Sequence, residues 1–207
     1  MSFSLFMALW NRLESRSTPA VHFQMAEWLQ QNHEGGPDRM LLMAFRACGK
    51  SSVVGLYAAW RLLQNPVERI LVLSADDALA RKMVRQVRRI IERHPLCEPL
   101  IPERADQWAA DRFTVRRTAE WRDPSMLARG IAANLTGCRA DLIICDDVEV
   151  PNTCDTACKR DTLRRRLREA EFILTPGGTQ LYIGTPHTYH SIYSLDLYRR
   201  AGRGSRG

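Results

Sequence analysis

A short stretch near position 50 has the residue types that hold phosphate. In FRACGKSS, Gly49 lets backbone N–H groups approach a phosphate, Lys50 adds a compact positive charge, and the Ser51 hydroxyl suits a Mg²⁺ shell. The usual loop pattern opens with a glycine, but this chain has Ala44 there, which removes only the φ freedom of glycine. The alternative interpretation of Gly-Lys-Ser alone is a chance occurrence of these residues at the start of a helix.

A second stretch, LIICDD, ends an apolar run in two adjacent carboxylates. Phosphoryl transfer needs one acid for the Mg²⁺ shell and another to orient the attacking water, and Asp146 and Asp147 suit those roles. Glu149 competes for the second role because it lies on the same side of an extended segment as Asp147. The alternative for Glu149 is a surface acid in the loop before Pro151.

The elements around the first stretch alternate between strand and helix. Residues 39–45 form a short apolar run that predicts a strand buried on both faces, and residues 51–64 show the spacing of a helix. Residues 69–74 predict a second buried strand, which precedes a long amphipathic helix ended by Pro95. These two strand-helix units place the phosphate-holding residues between a strand and a helix.

The alternation continues along the rest of the chain. Residues 141–145 and 179–183 predict two more strands on either side of a basic helical stretch, 155–174, while 113–117 and 126–129 suit edge strands of a hairpin or inserted β unit. The pattern predicts an α/β fold with a mostly parallel central sheet flanked by helices, and the phosphate-holding stretch makes it a candidate P-loop NTPase. Because such sheets bind ligands beyond the carboxyl ends of their strands, we expect the lysine and the aspartates to converge.

Composition limits the function classes. The chain has 207 residues, 45% of them hydrophobic, and a formal charge of +7 that favours a polyanionic partner, with a solvated basic surface as the alternative. Six cysteines without a C-x-x-C pair indicate a reducing cytosol. No apolar run approaches the roughly 20 residues of a membrane span, and the N-terminus lacks the features of a cleavable leader. We therefore expect a chain that is neither exported nor anchored in a membrane.

Taken together, the motifs resemble the ATPase domain of large terminase subunits, the motors that package DNA into tailed-phage heads. Their phosphate loop commonly lacks the first glycine and carries an arginine just after the strand, as FRACGKS does. VHFQMAEWLQ is similar to the upstream adenine motif, ILVLSADDALA to the second strand and helix, ANLTGCRADLIICDDVE to the approach into the acidic strand, and LYIGTPH to the coupling motif. The resemblance covers residues 21–193 in the family's order, and it implies a P-loop NTPase fold of the RecA- or ASCE-like class.

The resemblance implies a site. Its ATP-binding residues are Gln24, Arg46, Ala47, Cys48, Gly49, Lys50, Ser51 and Ser52; Ser51 and Asp146 bind the metal; the catalytic residues are Arg46, Lys50, Asp147 and Thr185. Arg46 would act as an arginine finger in cis, with a salt bridge that shapes the loop as the alternative.

Two further roles carry an alternative each. The side-chain amide of Gln24 would bind the adenine edge, or simply lie on a helix surface. Thr185 would sense hydrolysis and pass it to the DNA grip, or act as a turn residue before Pro186.

The resemblance also implies a function and partners. It implies a Mg²⁺-dependent ATPase that translocates double-stranded DNA into a procapsid, working in the host cytoplasm, away from membranes, with the portal protein, the small terminase subunit and a possible homo-oligomeric ring on the portal. The implied organisation is a helical segment (1–20), a P-loop ATPase domain (21–198) and a flexible basic tail (199–207). The alternatives are a truncated prophage remnant that binds nucleotide or DNA without turnover, and a superfamily 2 helicase-like fragment.

The chain departs from the family in two respects. Asp147 stands where many members carry glutamate, which shortens the reach to water by one methylene. Full terminases also continue into a nuclease domain, whereas this chain ends at Gly207 with Asp196 as its last acid. We therefore expect either an isolated motor domain or a truncated gene, without nuclease activity of its own, because two-metal cleavage needs several converging carboxylates.

Two other clusters offer weaker hypotheses. Cys154 and Cys158 with His187 and His190 have the types of a zinc site, although only the fold could bring the two pairs together. The basic helical stretch would place Leu163, Leu167 and Ala170 on its buried side. Its cationic side would contact phosphate or, more commonly, face solvent. This side comprises Lys159, Arg160, Arg164, Arg165, Arg166 and Arg168.

Overall fold

A six-stranded sheet forms the centre of the protein. The computed structural model describes residues 1–33, 36–103, 108–185 and 191–193. The strands are β1 (Arg39–Met43), β2 (Ile70–Ser74), β3 (Arg112–Phe113), β4 (Met126–Gly130), β5 (Ala140–Asp146) and β6 (Leu174–Gly184). The helices are α1 (Phe3–Leu13), α2 (Ala20–Gln31), α3 (Lys50–Gln64), α4 (Asp77–Arg93), α5 (Pro151–Cys154) and α6 (Ala157–Glu171), with a 3₁₀ turn at Pro95–Leu100.

The strand order is β1-β6-β5-β2-β4-β3, and every neighbouring pair is parallel except β3 with β4. The predicted α/β P-loop fold with a mostly parallel sheet is therefore confirmed. The last of the described strands, β6, lies between β1 and β5. Because the three strands are parallel, their carboxyl ends are neighbours. This placement brings the phosphate loop close to the acidic strand end.

Alternate residues of the strands pack against helices on opposite faces of the sheet. Ile70 and Val72 of β2 belong to a core with α1, α3 and α4, whereas Leu71 and Leu73 belong to a second core with α6. All five residues of β2 are buried. An apolar run without alternation is what a strand covered on both faces requires.

The prediction for the first strand is wrong in two details. Residues 39–45 were expected to form a strand buried on both faces, but β1 ends at Met43, which is exposed, as is Phe45 (68%). Among the residues that the structure describes, β1 pairs only with β6, so it lies at the edge of the sheet. Apolar composition predicted the strand but not its place in the order.

The region at residues 100–136 also differs from expectation. Met126–Gly130 is not an edge strand: it pairs in parallel with β2 inside the main sheet. The true edge is β3, only two residues long and antiparallel to β4. The predicted strand at 113–117 thus shrinks to its first residue plus Arg112.

The helices follow the predictions closely. Helix α3 begins at Lys50 and ends at Gln64, and α4 begins after Asp76, whose side chain accepts a hydrogen bond from the Leu79 N–H and caps the helix. The predicted helix at 155–174 is shorter, since Thr156 caps α6 and Leu174 already belongs to β6. None of the helices in the described ranges is both long and apolar enough to cross a bilayer.

Candidate nucleotide site

The loop after β1 explains why its first glycine is dispensable. The residues of this loop with a positive φ are Ala47 (62°) and Gly49 (84°), and Ala44 is not among them. A glycine at Ala44 would therefore supply a freedom that the backbone does not use. Gly49 is needed for a second reason, because a Cβ there would lie 2.7 Å from His22 Nε2.

Lys50, at the start of α3, turns its side chain back over the loop. Its ammonium donates hydrogen bonds to the carbonyl oxygens of Ala44 (2.8 Å) and Phe45 (3.0 Å) and to Thr185 Oγ1 (3.1 Å). Only 8% of the residue is exposed. The positive charge is thus fixed beside the loop and linked to the end of β6.

Ser51 connects the loop to the acidic strand. Its hydroxyl donates a hydrogen bond of 2.9 Å to Asp146 Oδ1 at the end of β5. Burial raises the pKa of Asp146 to about 6, an effect that the hydrogen bond from Ser51 partly offsets and the neighbouring charge of Asp147 reinforces. A hydroxyl and a carboxylate that needs a positive charge nearby match the oxygen ligands of Mg²⁺. The residues present therefore fit the predicted metal.

Asp147 adopts an unusual backbone conformation. Its φ of 46° is in the left-handed region, which costs a non-glycine residue about 1 kcal/mol or more. The residue is exposed and lines the cavity beside the loop. Since such strain persists where the surrounding structure imposes it, the conformation holds this carboxylate beside the phosphate loop.

One cavity gathers most of the predicted site. Its volume is about 360 Å³, and it lies between the loop, the end of β5 and the end of β6. Its lining residues are Arg46, Ala47, Gly49, Lys50, Ser51, Ser52, Asp147, Val150, Pro151 and Thr185. Asp146 reaches this group through its bond to Ser51.

Besides Asp146, two further predicted residues, Cys48 and Gln24, lie outside that lining. Cys48 is buried, and its sulfur is 4.0 Å from Lys50 Nζ. Gln24 is exposed on α2, so its role at adenine stays a prediction. Arg46 is exposed at the cavity and forms no ion pair within the described residues, which gives no support to the salt-bridge alternative.

His22 contacts the phosphate loop, although no sequence pattern predicted a role for it. Its Nε2 lies 2.8 Å from the Cys48 carbonyl oxygen, at donor distance, and its ring faces Gly49. Helix α2 is thereby attached to the phosphate loop. The histidine lies two residues before Gln24, and no local pattern distinguishes it from any other helix histidine.

Glu149 is not the surface acid that the sequence favoured. It is 1% exposed, and its Oε2 accepts hydrogen bonds from Ser191 Oγ (2.8 Å) and from the Ile192 N–H (2.7 Å). It does not line the cavity, where Asp147 does. The arrangement favours Asp147 over Glu149 as the acid that faces a bound nucleotide.

The contacts of Glu149 fix the segment at 191–193 against the sheet. Tyr193 in this segment donates from its hydroxyl to the Ile183 carbonyl oxygen at 3.4 Å. A Cβ on Gly184 would lie 2.4 Å from that hydroxyl, so the tyrosine packs directly on the backbone before Thr185. The acidic strand, the end of β6 and this segment therefore form one connected unit.

The remaining sequence hypotheses have mixed outcomes. Cys154 is buried and Cys158 exposed, while His187 and His190 lie outside the described residues, within which no cluster of three metal-ligating side chains occurs. In α6, the residues expected to be buried are Leu163, Leu167 and Ala170, and all three are. Pro186 and the proposed tail, 199–207, also lie outside the described residues.

The fold and the loop define a class before any comparison is made: a P-loop α/β protein whose phosphate loop faces an acidic strand end. Solved structures share this fold. The large terminase of bacteriophage HK97 matches 81% of this chain and 33% of its own, with a TM-score of 0.56 and 12% identity. S. cerevisiae dbp5, in a complex that includes ADP, matches 95% of this chain and 48% of its own, with a TM-score of 0.53 and 12% identity.

One curated protein is similar to this chain in sequence. The large terminase subunit of Enterobacteria phage T3 is 31% identical over 192 residues, which are 92% of this chain and 32% of that protein. The resemblance of this chain to large terminase subunits is therefore confirmed. The chain spans about a third of the length of that relative. No family model matches the chain.

Proposed function

We propose that the chain binds and hydrolyses ATP and that hydrolysis drives the movement of double-stranded DNA into a phage procapsid. The observation that carries the proposal is the convergence of Lys50, the Ser51–Asp146 pair and Asp147 on one cavity. The relative from phage T3, whose printed name is large terminase subunit, supports the choice of packaging over other uses of the same fold.

The proposed chemistry follows from where each group lies. Lys50, held beside the loop by three acceptors, would exchange these bonds for the phosphate oxygens of ATP. Mg²⁺, held by Ser51 and Asp146, would supply charge neutralisation to the phosphates. Asp147 would orient the attacking water, and the exposed guanidinium of Arg46 would neutralise charge that develops on the transferring phosphoryl group.

Thr185 gives the site a route to the rest of the molecule. It binds Lys50 and also donates to the Ala44 carbonyl oxygen at 3.3 Å, so a nucleotide that engages Lys50 would disturb its bonds. The adjoining Gly184 packs on Tyr193. We propose that this connection passes the state of the nucleotide to the DNA-gripping parts of the protein.

The proposed partners and setting follow the family. They are double-stranded DNA, the portal protein, the small terminase subunit and a homo-oligomeric ring, in the cytoplasm of the bacterial host. A remnant that binds nucleotide without turnover is the rival, and a helicase-like fragment shares the fold alone.

The test is the ATPase activity of the purified chain with Mg²⁺, with and without double-stranded DNA, beside Asp147→Asn. We expect turnover in the wild-type chain. Asp147→Asn should keep ATP binding, measured by the displacement of a fluorescent ATP analogue, and lose hydrolysis. Binding without turnover in the wild-type chain would favour the remnant. Normal turnover by Asp147→Asn would move the water-orienting role to another acid.

A further inference from the structure

The outward face of α4 carries positive charge that acidic neighbours do not neutralise. Arg81, Lys82 and Arg85 are exposed, and none of them forms an ion pair with any residue that the structure describes. Further along the helix, Arg89 and Arg93 share Glu14. We call Arg81, Lys82 and Arg85 the α4 basic face.

The α4 basic face is rigid and purely polar. Arg81 and Arg85 are four residues apart and lie on one side of the helix, next to Lys82, so the face extends about 6 Å along the helix at 1.5 Å per residue. The opposite side, which includes Met83, is buried in the core. No large hydrophobic residue of α4 is exposed. Such a surface is suited to contact with a partner that carries a row of negative charges, rather than to insertion into a lipid layer.

Helix α4 also contacts the helix that begins at the phosphate loop. Gln86 donates from Nε2 to the Ser52 carbonyl oxygen at 3.4 Å, and Ser52 lines the nucleotide cavity. A Cβ on Gly55 of α3 would lie 2.9 Å from Gln86 Nε2, so the two helices pack closely there. A ligand on the α4 basic face is thus one helix away from the nucleotide.

The other basic helix differs in its local charges. On α6, Lys159 pairs with Asp155 at 2.9 Å and Arg166 with Glu169 at 3.5 Å. Acids three or four residues away therefore neutralise part of the charge of α6. The exposed cations of α6 that form no ion pair within the described residues are Arg165 and Arg168, whereas α4 has three such cations within five residues.

We infer that the α4 basic face contacts the phosphodiester backbone of double-stranded DNA. The inference rests on the proposed function, which supplies DNA as the partner. The face presents three cations to phosphate oxygens, and contacts to phosphates carry no sequence information, so binding through them is independent of sequence. Each phosphate neutralised by Lys or Arg releases counterions and adds about 0.9 to the slope of log K against log salt.

The experiment compares two variants of equal charge. One carries Arg81→Gln, Lys82→Gln and Arg85→Gln; the control carries Lys159→Gln, Arg165→Gln and Arg168→Gln on α6. The binding of a labelled 30-base-pair duplex of mixed sequence is followed by anisotropy between 50 and 200 mM KCl. Basal ATPase activity and thermal unfolding report on the integrity of each variant, because no substituted residue lines the nucleotide cavity.

In the α4 variant, the slope of log K against log salt should be smaller by up to about 2.7. Across the fourfold salt range, the fall in affinity should therefore be up to about 40-fold smaller than in the wild-type chain. The α6 control should keep most of its slope, and both should keep basal ATPase activity. A larger loss in the α6 control overturns the inference, as does an unchanged slope in the α4 variant. A wild-type chain that binds no duplex at 50 mM KCl overturns the proposed partner as well. If the α4 variant lost binding to phosphatidylserine vesicles but kept duplex binding, the α4 basic face would be assigned to a membrane instead.

Discussion

The phosphate loop functions as a set of individual contacts rather than as a consensus pattern. Ala44 occupies the place of the usual glycine but uses no positive φ, whereas Gly49 does and also faces His22. The carbonyl of Ala44 is an acceptor for Lys50, a role that any residue fills. The substitution of the first glycine is therefore compatible with a working loop.

Lys50→Ala is expected to lower ATP turnover by on the order of 10²-fold or more, because the ammonium stabilises charge in the transition state. The variant should also lose the rise in unfolding temperature that ATP gives the wild-type chain. Both quantities are measured on purified protein. Lys159→Ala on α6 makes the same change of charge at an exposed position and should leave both unchanged. Equal turnover in the two variants would contradict the role of Lys50.

Asp146 gives a pH-dependent prediction. Its pKa is about 6 in the folded chain, compared with about 3.9 for an aspartate in an unfolded chain. The protonated carboxyl therefore contributes to the free energy of unfolding. This contribution is complete below pH about 4 and is lost as pH rises through about 6. At pH 7.5 the buried carboxylate therefore costs the fold about 1 to 3 kcal/mol.

Asp146→Asn should accordingly raise the free energy of unfolding at pH 7.5, without nucleotide or metal, and the gain should vanish near pH 4. Urea unfolding in EDTA at both pH values measures it. Asp161→Asn replaces an acid whose side chain is 75% exposed and should show no such gain. If Asp146→Asn is less stable than the wild-type chain at pH 7.5, the contacts of the carboxylate stabilise the fold by more than its burial costs.

Among the secondary-structure elements, β6 decides how the site is assembled. Its position between β1 and β5 places Thr185 next to both the loop and the acidic strand, where it binds Lys50. Glu149, just after β5, extends this unit by binding Ser191 and Ile192. The site thus depends on contacts between segments far apart in the sequence.

A double-mutant cycle tests the contact between these segments. Glu149→Ala, Ser191→Ala and the double variant are expected to give a coupling energy of about 1.5 to 3 kcal/mol, the usual size for a hydrogen bond to a charged group. Urea unfolding at pH 7.5 supplies the four free energies. Ser125→Ala, at a buried serine that instead accepts from the Val115 N–H, should add to Glu149→Ala without coupling. A coupling near zero for Glu149 and Ser191 would mean that the bond is not formed in solution.

Across the whole molecule, the N-terminal helix shares the core of the P-loop fold. Phe3, Phe6 and Met7 of α1 are fully buried in the same core as α3, and Trp60 donates from Nε1 to the Met1 carbonyl oxygen. The sequence division at residue 20 thus does not correspond to a break in the packing.

Phe6→Ala is expected to lower the free energy of unfolding of the entire chain by about 3 to 5 kcal/mol, since it leaves a cavity in the shared core. Denaturant unfolding followed by both far-UV circular dichroism and tryptophan fluorescence should give one common transition. Leu5→Ala, on the exposed side of the same helix (51%), should change the free energy by less than about 0.5 kcal/mol. An early separate transition in Phe6→Ala would instead make α1 an independent segment.

The sequence by itself determined the elements and the chemical groups of the site. Continuous apolar runs specified β2 and β5, and helical spacing specified α3 and α4. The loop and LIICDD carried the residues that are proposed to bind phosphate and metal. These features are encoded within a few residues of one another, so local patterns reveal them. The family resemblance rested on the same local motifs.

Only the tertiary structure decided which segments meet. It placed β4 inside the sheet and β1 at its edge, buried Glu149 against residues 191–192, and brought His22 to the phosphate loop. Each of these outcomes depends on pairing between distant segments, and an acid or histidine has the same local sequence signal whether it ends up buried or exposed. Burial of a carboxylate destabilises a fold unless hydrogen-bond donors contact it. The tertiary structure supplies these donors to Glu149 as Ser191 Oγ and the Ile192 N–H.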